Sequence, residues 1–234
     1  MARRKKQQFE ENKKNPLFFQ PYYEDLLAGI PLKGKWKQDF FKNDHPIVLE
    51  LGCGKGEYTV GLAKKYPEKN FIGIDLKGAR MWKGASEALD NQLHNVAFVR
   101  TKIEQILFFF APEEISEIWL TFSDPQPKKE RRRLSSPRFL NLYREILKPN
   151  GIIHIKTDNL ALFDYTMDVV QYFNLPLHYQ THDLYHSEYQ GDAPEIQTFY
   201  EKKYLAEGIK INYSQFSLNE AYSENTLEKL PEEE

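Results

Sequence analysis

One stretch of the sequence, PIVLELGCGKGEYTVGLAKKYPEKNFIGID at Pro46–Asp75, restricts the possible folds more than any other part of the chain. It begins with an apolar run that ends in a cluster of glycines. An amphipathic segment follows, and a second apolar run closes the stretch. This order predicts a strand, a glycine-rich turn, a helix and a second strand. The first turn of such a unit lies where α/β sheets bind nucleotide-like ligands.

The spacing of the glycines and two acids indicates which ligand this turn binds. Gly52, Gly54 and Gly56 form G-x-G-x-G, whereas dinucleotide-binding turns read G-x-G-x-x-G. Glu50 adds a negative charge that disfavours a pyrophosphate and suits a cation. Asp75 ends the second strand, where a carboxylate can accept from ribose hydroxyls. A ribose-bearing cation without phosphate is S-adenosylmethionine, which we expect as the cofactor. A nicotinamide cofactor and a tight turn without ligand are the alternatives.

Length and composition exclude several classes of protein. The 234 residues suit one α/β domain with extensions. No apolar run approaches the roughly 20 residues of a membrane span, and the basic, polar N-terminus lacks the core of a signal peptide. One cysteine and six scattered histidines provide neither an internal disulfide nor a metal-ligand spacing. We therefore expect a soluble, cytoplasmic, metal-free protein, and the sequence leaves both a monomer and a homodimer open.

Charge is distributed unevenly along the chain, although the net charge is only −2. Met1–Asn15 carries six basic and two acidic residues, and Lys128–Arg133 carries five basic residues and one acidic residue. The residues from Glu224 to Glu234 are mostly acidic. Local basic segments of this kind are suited to phosphates, so nucleic acid is a candidate partner. For the N-terminal run alone, a solvated surface explains the charge equally well.

The fold class follows from the alternation of strands and helices. Beyond the first unit, apolar runs predict five more strands, at Val96–Arg100, Glu117–Phe122, Gly151–Thr157, Leu177–Asp183 and Ile209–Phe216. Helices are predicted at Glu57–Lys65, Lys77–Asn91, Ile103–Phe110, Pro137–Lys148 and Leu160–Tyr172. The pattern predicts an α/β fold: a Rossmann-like, doubly wound, mostly parallel seven-stranded sheet with helices on both faces.

Acidic residues follow four of these strands. Glu50, Asp75, Asp124 and Asp158 all lie at predicted carboxyl ends, where open α/β sheets bind ligands. Prolines on both sides of residue 126 stiffen the loop after Asp124 and direct Lys128 outward. A rigid acid beside a basic run suits a site that acts on one base of a polyanion. For Asp158, capping of the next helix is an alternative reading.

Four motifs in this order, LELGCGKG, SDPQPKK, KTDN and TFYE, resemble the bacterial tRNA (guanine-N7-)-methyltransferase family. The resemblance covers about residues 46–216. It implies a Rossmann-like enzyme that uses S-adenosylmethionine to methylate N7 of the variable-loop guanine at position 46 of tRNA. By motif, Asp124 resembles the catalytic acid. The cofactor-binding residues implied are Glu50, Gly52, Gly54, Asp75, Lys102 and Asp124, and those for tRNA are Lys128, Asp158, Thr198, Phe199, Tyr200 and Glu201.

Two positions depart from the family pattern. Gln126 replaces the usual tryptophan of D-P-W-P-K, which removes any stacking on that ring. After the third strand, Lys102 stands where the family has Asp or Asn near the adenine, and Glu104 follows two residues later. Because a lysine side chain cannot accept from the adenine amino group, we expect a backbone contact at Lys102 or compensation by Glu104.

Composition, together with the extent of the resemblance, predicts a division of the chain, and the chemistry of the target atom predicts a role for Asp124. Residues 1–45 are expected to form a basic N-terminal extension, disordered over 1–15 and packed on the domain over Leu17–Phe41. Residues 46–216 are expected to form the methyltransferase domain, and 217–234 an acidic tail. Guanine N7 carries a lone pair and no proton, so the reaction needs no general base. We therefore expect Asp124 to act electrostatically.

Two alternatives concern the target rather than the fold. Asp124-Pro125-Gln126-Pro127 is similar to the (D/N)-P-P-(Y/F) motif of amino-methyltransferases that act on adenine or glutamine, but Pro127 stands in place of the aromatic residue. A non-catalytic RNA-binding module on a degenerate methyltransferase fold is the other alternative, and it would fail to bind the cofactor. Identifying the cofactor also separates both from a nicotinamide oxidoreductase.

Overall fold

In a computed structural model, which describes residues 2–218 of the chain, the centre is an eight-stranded sheet. The strands are β1 Phe18–Phe19, β2 Ile47–Leu51, β3 Asn70–Asp75, β4 Val96–Arg100, β5 Ile115–Thr121, β6 Leu147–Thr157, β7 Leu177–Thr181 and β8 Asn212–Ser217. Their order is β1-β4-β3-β2-β5-β6-β8-β7. β8 runs antiparallel to both of its neighbours, and the other pairs are parallel.

This topology places the switch point of the sheet between β2 and β5. The chain leaves β2 toward β3 on one side, whereas β5 pairs with the other side of β2. Ligands of doubly wound sheets bind beyond the carboxyl ends of the strands at such a point. The expected fold class is confirmed, with eight strands in place of seven. The additional strand is β1, a two-residue edge strand that pairs with Phe98 and Val99.

Helices cover both faces of the sheet. They are α1 Ala2–Lys14, α2 Tyr23–Ala28, α3 Glu57–Lys65, α4 Gly78–Asp90, α5 Pro137–Ile146, α6 Leu160–Tyr172 and α7 Phe199–Ala206. Side chains of α5 and α6 belong to one buried apolar cluster, and those of α3 and α4 belong to another. Strand β2 contributes Leu49 to the first cluster and Val48 to the second, as alternation along a strand buried on both faces requires.

Several predicted boundaries are confirmed to the residue, and the largest difference lies at the start of β6. The helix α5 ends at Ile146, two residues before the predicted end, and β6 begins directly at Leu147. Pro149 limits the length of the helix, because a proline drives the residue before it, here Lys148, out of the helical region. Leu147 is already extended and pairs with Ile115.

The N-terminal residues differ from the expectation of disorder over 1–15. The structure has the helix α1 there, and buried side chains hold its end against α4. Asn12 and Asn15 donate from their amide nitrogens to the carbonyls of Gly78 and Ala85, each at 2.9 Å. These contacts are tertiary, so the charged composition of the segment does not reveal them.

The next segment packs on the domain as expected. Trp36, in a short π-helical turn at Trp36–Phe41, is fully buried and donates to the carbonyl of Phe109 at 2.9 Å. The rings of Phe19 and Phe40 meet it edge-on, with centroids 5.2 and 5.7 Å away. Residues 219–234, which hold most of the predicted acidic tail, lie outside the described residues.

Across residues 2–218, no helix combines the length and the apolar character needed to cross a membrane. No group of three or more His, Cys, Asp or Glu side chains in the same range has the arrangement of a metal site.

Candidate active site

An open pocket of about 410 Å³ lies at the carboxyl ends of the strands. Its walls come from the glycine-rich turn after β2, the end of β3, the loop after β5 and the start of α7. Of the residues predicted for the site, it is lined by Glu50, Gly52, Gly54, Asp75, Asp124, Thr198 and Tyr200. The fold therefore brings together residues that are almost 150 positions apart in the chain.

The glycine-rich turn has the backbone that its sequence predicts. Gly52, Gly54 and Gly56 all have positive φ values, of 81°, 57° and 73°. At Gly56 a Cβ atom would lie 2.6 Å from the ring of Phe98. At Gly84 in α4 it would lie 2.6 Å from the carbonyl of Lys55 in the turn. The turn is thus held between β4 and α4 in a space that admits no side chain at these two positions.

Glu50 is buried at the base of the pocket, with 4% of its surface exposed. Its Oε2 accepts from the backbone N–H of Thr59 at 2.8 Å and from the Thr59 hydroxyl, and its Oε1 accepts from the hydroxyl of Thr121. Burial raises the pKa of Glu50 to about 7, although these hydrogen bonds oppose the shift. A cation bound in the pocket would favour the ionised carboxylate.

Asp75 joins the turn to the start of α4. Its Oδ2 accepts from the backbone N–H of Gly54 at 3.0 Å, and its Oδ1 accepts from the N–H of Lys77 at 2.8 Å. The carboxylate is therefore fixed at the end of β3, half-buried and on the pocket wall. Each of its oxygens has a further lone pair for a hydroxyl group of a ligand.

Asp124 lies on the opposite wall, in the loop that follows β5. Its side chain is exposed, and its Oδ1 accepts from the N–H of Gln126 at 3.1 Å. Gln126 itself has φ of 45°, in the left-handed region that non-glycine residues seldom occupy. The carboxylate is thus oriented by its own loop and faces the pocket, to which Gln126 also contributes.

Arg133 holds this loop in place, a role that differs from the one expected. We expected it to continue an outward-facing basic run, but its side chain is only 7% exposed. Its Nε donates to the carbonyl of Pro125 at 3.0 Å, and its guanidinium lies 4.3 Å from the ring centroid of Tyr165. The basic run is therefore divided: Lys128 and Lys129 are exposed, whereas Arg133 is structural.

The TFYE motif forms the start of α7 and reaches the pocket through two of its four residues. Thr198 and Tyr200 line the pocket, and Phe199 and Tyr200 are more than half exposed. The ammonium group of Lys55 lies 4.4 Å from the ring centroid of Phe199. The N–H of Phe199 donates to Glu57 at 2.9 Å, which ties α7 to the first residue of α3.

Glu201, predicted to contact tRNA, is instead fully buried. Together with Thr198 it forms a capping box, and its Oε1 lies 2.6 Å from the ammonium group of Lys156. Tyr185 donates to the same oxygen at 2.6 Å. Because no tRNA group can reach a carboxylate in this position, Glu201 fixes the start of α7 rather than contacting substrate.

Lys156, on β6, is the ion-pair partner of Glu201, and the sequence did not indicate that it would be buried. It is fully buried and also donates to the carbonyls of Ala193 and of Ile196, the latter at 3.1 Å. Burial lowers the pKa of Lys156 below its usual value, and the carboxylate of Glu201 opposes this shift. These contacts join the centre of the sheet to the segment before α7. They thereby set the position of Thr198.

Three further predicted residues lie away from the pocket. The side chain of Lys102 is exposed, and the next residue, Ile103, lines the pocket in its place. Lys128 is exposed on the loop. Asp158 is half-buried in a neighbouring open cleft of about 550 Å³, where burial raises its pKa. The structure thus gives Asp158 a separate location at the same edge of the sheet.

Sequence reasoning missed more than half of the residues that line the pocket, among them Ile103, Thr121, Arg132 and Leu134. Thr121 ends β5 and could have been found, because each strand end at this edge contributes a polar residue. Leu134 and Ile103 carry no such signal, since an apolar residue in a loop is as consistent with the core as with a ligand.

The pocket has four carboxylates: one buried, one fixed by backbone donors, one exposed, and that of Glu57, which is paired with Lys83. Its basic lining residues are Lys55, Lys77, Arg80 and Arg132. This donor set fits S-adenosylmethionine. Glu50 provides an internal anion for a positively charged group, and Asp75 provides acceptors for ribose hydroxyls. Neither acid is suited to the phosphates of a nicotinamide dinucleotide.

Comparisons with known proteins agree with this geometry. Residues 44–213 match the family model Methyltransf_4, described as "Putative methyltransferase". The structure of the 16S rRNA (adenine(1408)-N(1))-methyltransferase from Catenulisporales acidiphilia, solved with its cosubstrate SAM, superposes with a TM-score of 0.58. That match covers 81% of this chain and 93% of the other at 15% sequence identity, so it shows the fold alone.

Two curated relatives are much more similar in sequence. The chain is 51% identical to the tRNA (guanine-N(7)-)-methyltransferase of Bacteroides thetaiotaomicron, over 93% of this chain and 87% of the relative. It is also 51% identical to the tRNA (guanine-N(7)-)-methyltransferase of Christiangramia forsetii, over 93% of this chain and 99% of the relative. With this identity along almost its whole length, the chain belongs to the tRNA (guanine-N(7)-)-methyltransferase family.

Proposed function

We propose that this protein transfers a methyl group from S-adenosylmethionine to N7 of the guanine at position 46 of tRNA, in the cytoplasm. The observation that carries the proposal is the convergence of Glu50, Asp75 and Asp124 on one pocket at the switch point of the sheet. The names of the relatives, which act on guanine N7 of tRNA, support the target atom. The position in the tRNA rests on the family resemblance.

The chain's own residues divide the work of binding between two ends of the pocket. Glu50 and Asp75 lie on the side of the glycine-rich turn and hold the cofactor, which supplies an electrophilic methyl group when bound. Asp124 lies on the opposite side, in the loop after β5, as an exposed acid that is accessible to a base. The half-exposed ring of Tyr200 also lines the pocket, on α7, with the ammonium group of Lys55 5.6 Å from its centroid. Stacking on an aromatic ring is a common means of holding an unpaired RNA base.

Asp124 contributes electrostatically. Guanine N7 has an in-plane lone pair and no proton, so no side chain has to remove one. Positive charge develops on the purine during transfer, and a carboxylate already oriented by the N–H of Gln126 stabilises that charge without reorganising. Arg133 adds rigidity by holding the carbonyl of Pro125, the residue that follows Asp124.

Mass spectrometry of nucleosides tests the proposal directly. The protein would be incubated with S-adenosylmethionine and an unmodified tRNA transcript, and with a matched transcript in which guanosine 46 is replaced by adenosine. We expect 7-methylguanosine only from the first transcript. Methylation of an amino group instead, methylation of both transcripts, or no methylation together with no cofactor binding would each overturn the proposal.

A further inference from the structure

A second groove, of about 420 Å³, lies between α1 and the start of α4. It opens at the same edge of the sheet as the active-site pocket, because it is formed by residues that directly follow β3 and by the last residue of β4. It is lined by Lys5, Phe9, Leu76, Lys77, Gly78, Ala79, Arg80 and Arg100.

The charge of this groove is of one sign. Four of its eight lining residues are basic, and none of those that the structure describes there is acidic. Lys5, Lys77 and Arg80 are exposed and form no ion pair with a described residue. Such a surface attracts anions, because its lining carries positive charge and no carboxylate among the described residues.

The groove also has an apolar floor. Leu76 is 51% exposed, which is unusual for a residue one position after a buried strand. Phe9 lies beside it on α1, and the guanidinium of Arg100 is 5.6 Å from the centroid of its ring. The Nε of Arg100 donates to the carbonyl of Leu76 at 3.2 Å. The side chain of Arg100 is thereby held between Leu76 and Phe9, and one face of the groove is fixed.

Two structural features connect the groove to the reaction site. Lys77 and Arg80 line both the groove and the active-site pocket, so the two are continuous. The helix α1 is not free to leave, since the buried amides of Asn12 and Asn15 bind the backbone of α4. The N-terminal helix is therefore a fixed wall, with Lys5 on the side of the groove.

We propose that this groove binds the ribose-phosphate backbone of tRNA next to the nucleotide that enters the active site, with α1 as one of its walls. The inference rests on the proposed function and adds the route of the RNA strand. The basic side chains of the groove suit phosphates, and its apolar floor of half-buried Phe9 and exposed Leu76 suits the ribose or base between them, which is the combination that single-stranded RNA requires. A single inorganic phosphate would leave the apolar floor unused.

Lys5 is the residue that tests this proposal most cleanly. It lines the groove but not the active-site pocket, and its side chain is exposed, so Lys5→Ala should leave folding and cofactor binding intact. The dissociation constant for tRNA would be measured from 50 to 300 mM salt. Loss of one phosphate contact reduces, by about 1, the steepness with which the logarithm of the association constant falls with the logarithm of the salt concentration. We expect this change in Lys5→Ala, a change of about 2 in Lys5→Ala/Arg80→Ala, and a wild-type slope in Lys5→Arg.

A control variant and an independent measurement complete the test. Lys148 is equally exposed but lies at the amino end of β6, away from the groove, so Lys148→Ala should keep the wild-type slope. If Lys5→Ala and the double variant also keep it while the wild type methylates tRNA, the groove is not an RNA site and the proposed function is unaffected. If the wild type fails to methylate tRNA, the proposed function itself is wrong. A loss of slope in Lys148→Ala equal to that in Lys5→Ala would also overturn the proposal, because the effect would then be general.

Discussion

At the scale of single residues, Glu50 shows how one buried acid can respond to a ligand. The side chain accepts three hydrogen bonds, all from threonines, and it forms no ion pair with a described residue. Burial therefore raises its pKa to about 7. The folded protein holds the proton more tightly than the unfolded chain does, so ionising this carboxyl disfavours folding.

The resulting prediction concerns stability as a function of pH in the cofactor-free protein. Glu50 lowers the free energy of unfolding as pH rises from about 4.5, its unfolded value, to about 7. Glu50→Gln has no such dependence, and its amide can still bond to both threonines. We expect urea unfolding to show the variant gaining roughly 2–3 kcal/mol relative to wild type between pH 5 and pH 8. A constant difference across that range would mean that Glu50 ionises normally.

The second residue-scale prediction concerns Asp124. Asp124→Asn keeps the shape of the side chain and the bond from the N–H of Gln126 but removes the charge. In single-turnover reactions on saturating tRNA, we expect methyl transfer to slow by about 10²-fold or more, typical of losing one preorganised electrostatic contact. Cofactor and tRNA should still bind. The remaining rate of methyl transfer should show no pH dependence from a catalytic base. If the variant transfers methyl as fast as the wild type, the electrostatic role is wrong and Asp124 is only a turn residue.

A site residue could be predicted from the sequence when its position near the end of a strand determines its location in the fold. Glu50, Asp75 and Asp124 were found because they follow strands, and the carboxyl ends of parallel strands meet at one edge. Arg133 and Glu201 carry charges that suggested contact with tRNA. Their actual surroundings are set by residues far away in the chain, such as Tyr165 and Lys156. Sequence does not reveal which member of a charged run turns inward.

At the scale of elements, the start of α7 depends on one buried ion pair. The helix has only eight residues, and its hydrophobic face is weak, so little in its own sequence fixes its position. Glu201 and Lys156 supply that position, with Tyr185 and two backbone carbonyls as further partners. A buried pair of this kind is costly to break, because removing one member leaves the other charge uncompensated.

The corresponding prediction uses a double-mutant cycle. Glu201→Ala leaves the ammonium group of Lys156 buried without its carboxylate and should lower the free energy of unfolding by about 3–5 kcal/mol. The double variant Glu201→Leu/Lys156→Met removes both charges and should cost clearly less than Glu201→Ala alone. Denaturant titration of the wild type, Glu201→Leu, Lys156→Met and the double variant completes the cycle, with Glu201→Ala measured beside them. A double variant as unstable as the sum of its single variants would show that the pair is not coupled.

The elements themselves were largely predictable, and the exceptions share one cause. Three predicted segments, Glu57–Lys65, Val96–Arg100 and Leu160–Tyr172, agree with the structure to the residue, because their apolar patterns are clear. The helix α1 and the short strand β1 have no such periodicity. They are stabilised by contacts with α4 and β4, and the local sequence does not predict such tertiary contacts.

At the scale of the whole molecule, a net charge of −2 conceals a positive edge around the active site. Lys128, Lys129 and Arg131 are exposed on one side of the pocket, in the loop after Asp124. The groove beside α1 lies on the other side, beyond β3. A tRNA that places one nucleotide in the pocket would meet phosphate-binding side chains in both directions along its backbone.

The last prediction distinguishes the exposed basic residues in the loop after Asp124 from the buried Arg133. Replacing Lys128, Lys129 and Arg131 together by alanine should weaken tRNA binding and lower its salt slope by about 2–3, because fewer counterions are released. The loop backbone should keep its place, since the side chain that holds it is that of Arg133. Cofactor affinity, measured by calorimetry, should hardly change.

Arg133→Ala provides the contrast, because it removes one positive charge from the same segment but from the interior. It takes away the donor to the carbonyl of Pro125 and the contact with Tyr165, so urea unfolding should show a loss of about 1–3 kcal/mol. Methyl transfer should slow as the loop that orients Asp124 loosens, while the salt slope of tRNA binding stays at its wild-type value. If Arg133→Ala instead lowers the salt slope as much as one of the exposed cations does, Arg133 contacts phosphate. If the triple variant leaves the slope unaltered, its three side chains are ordinary solvated surface.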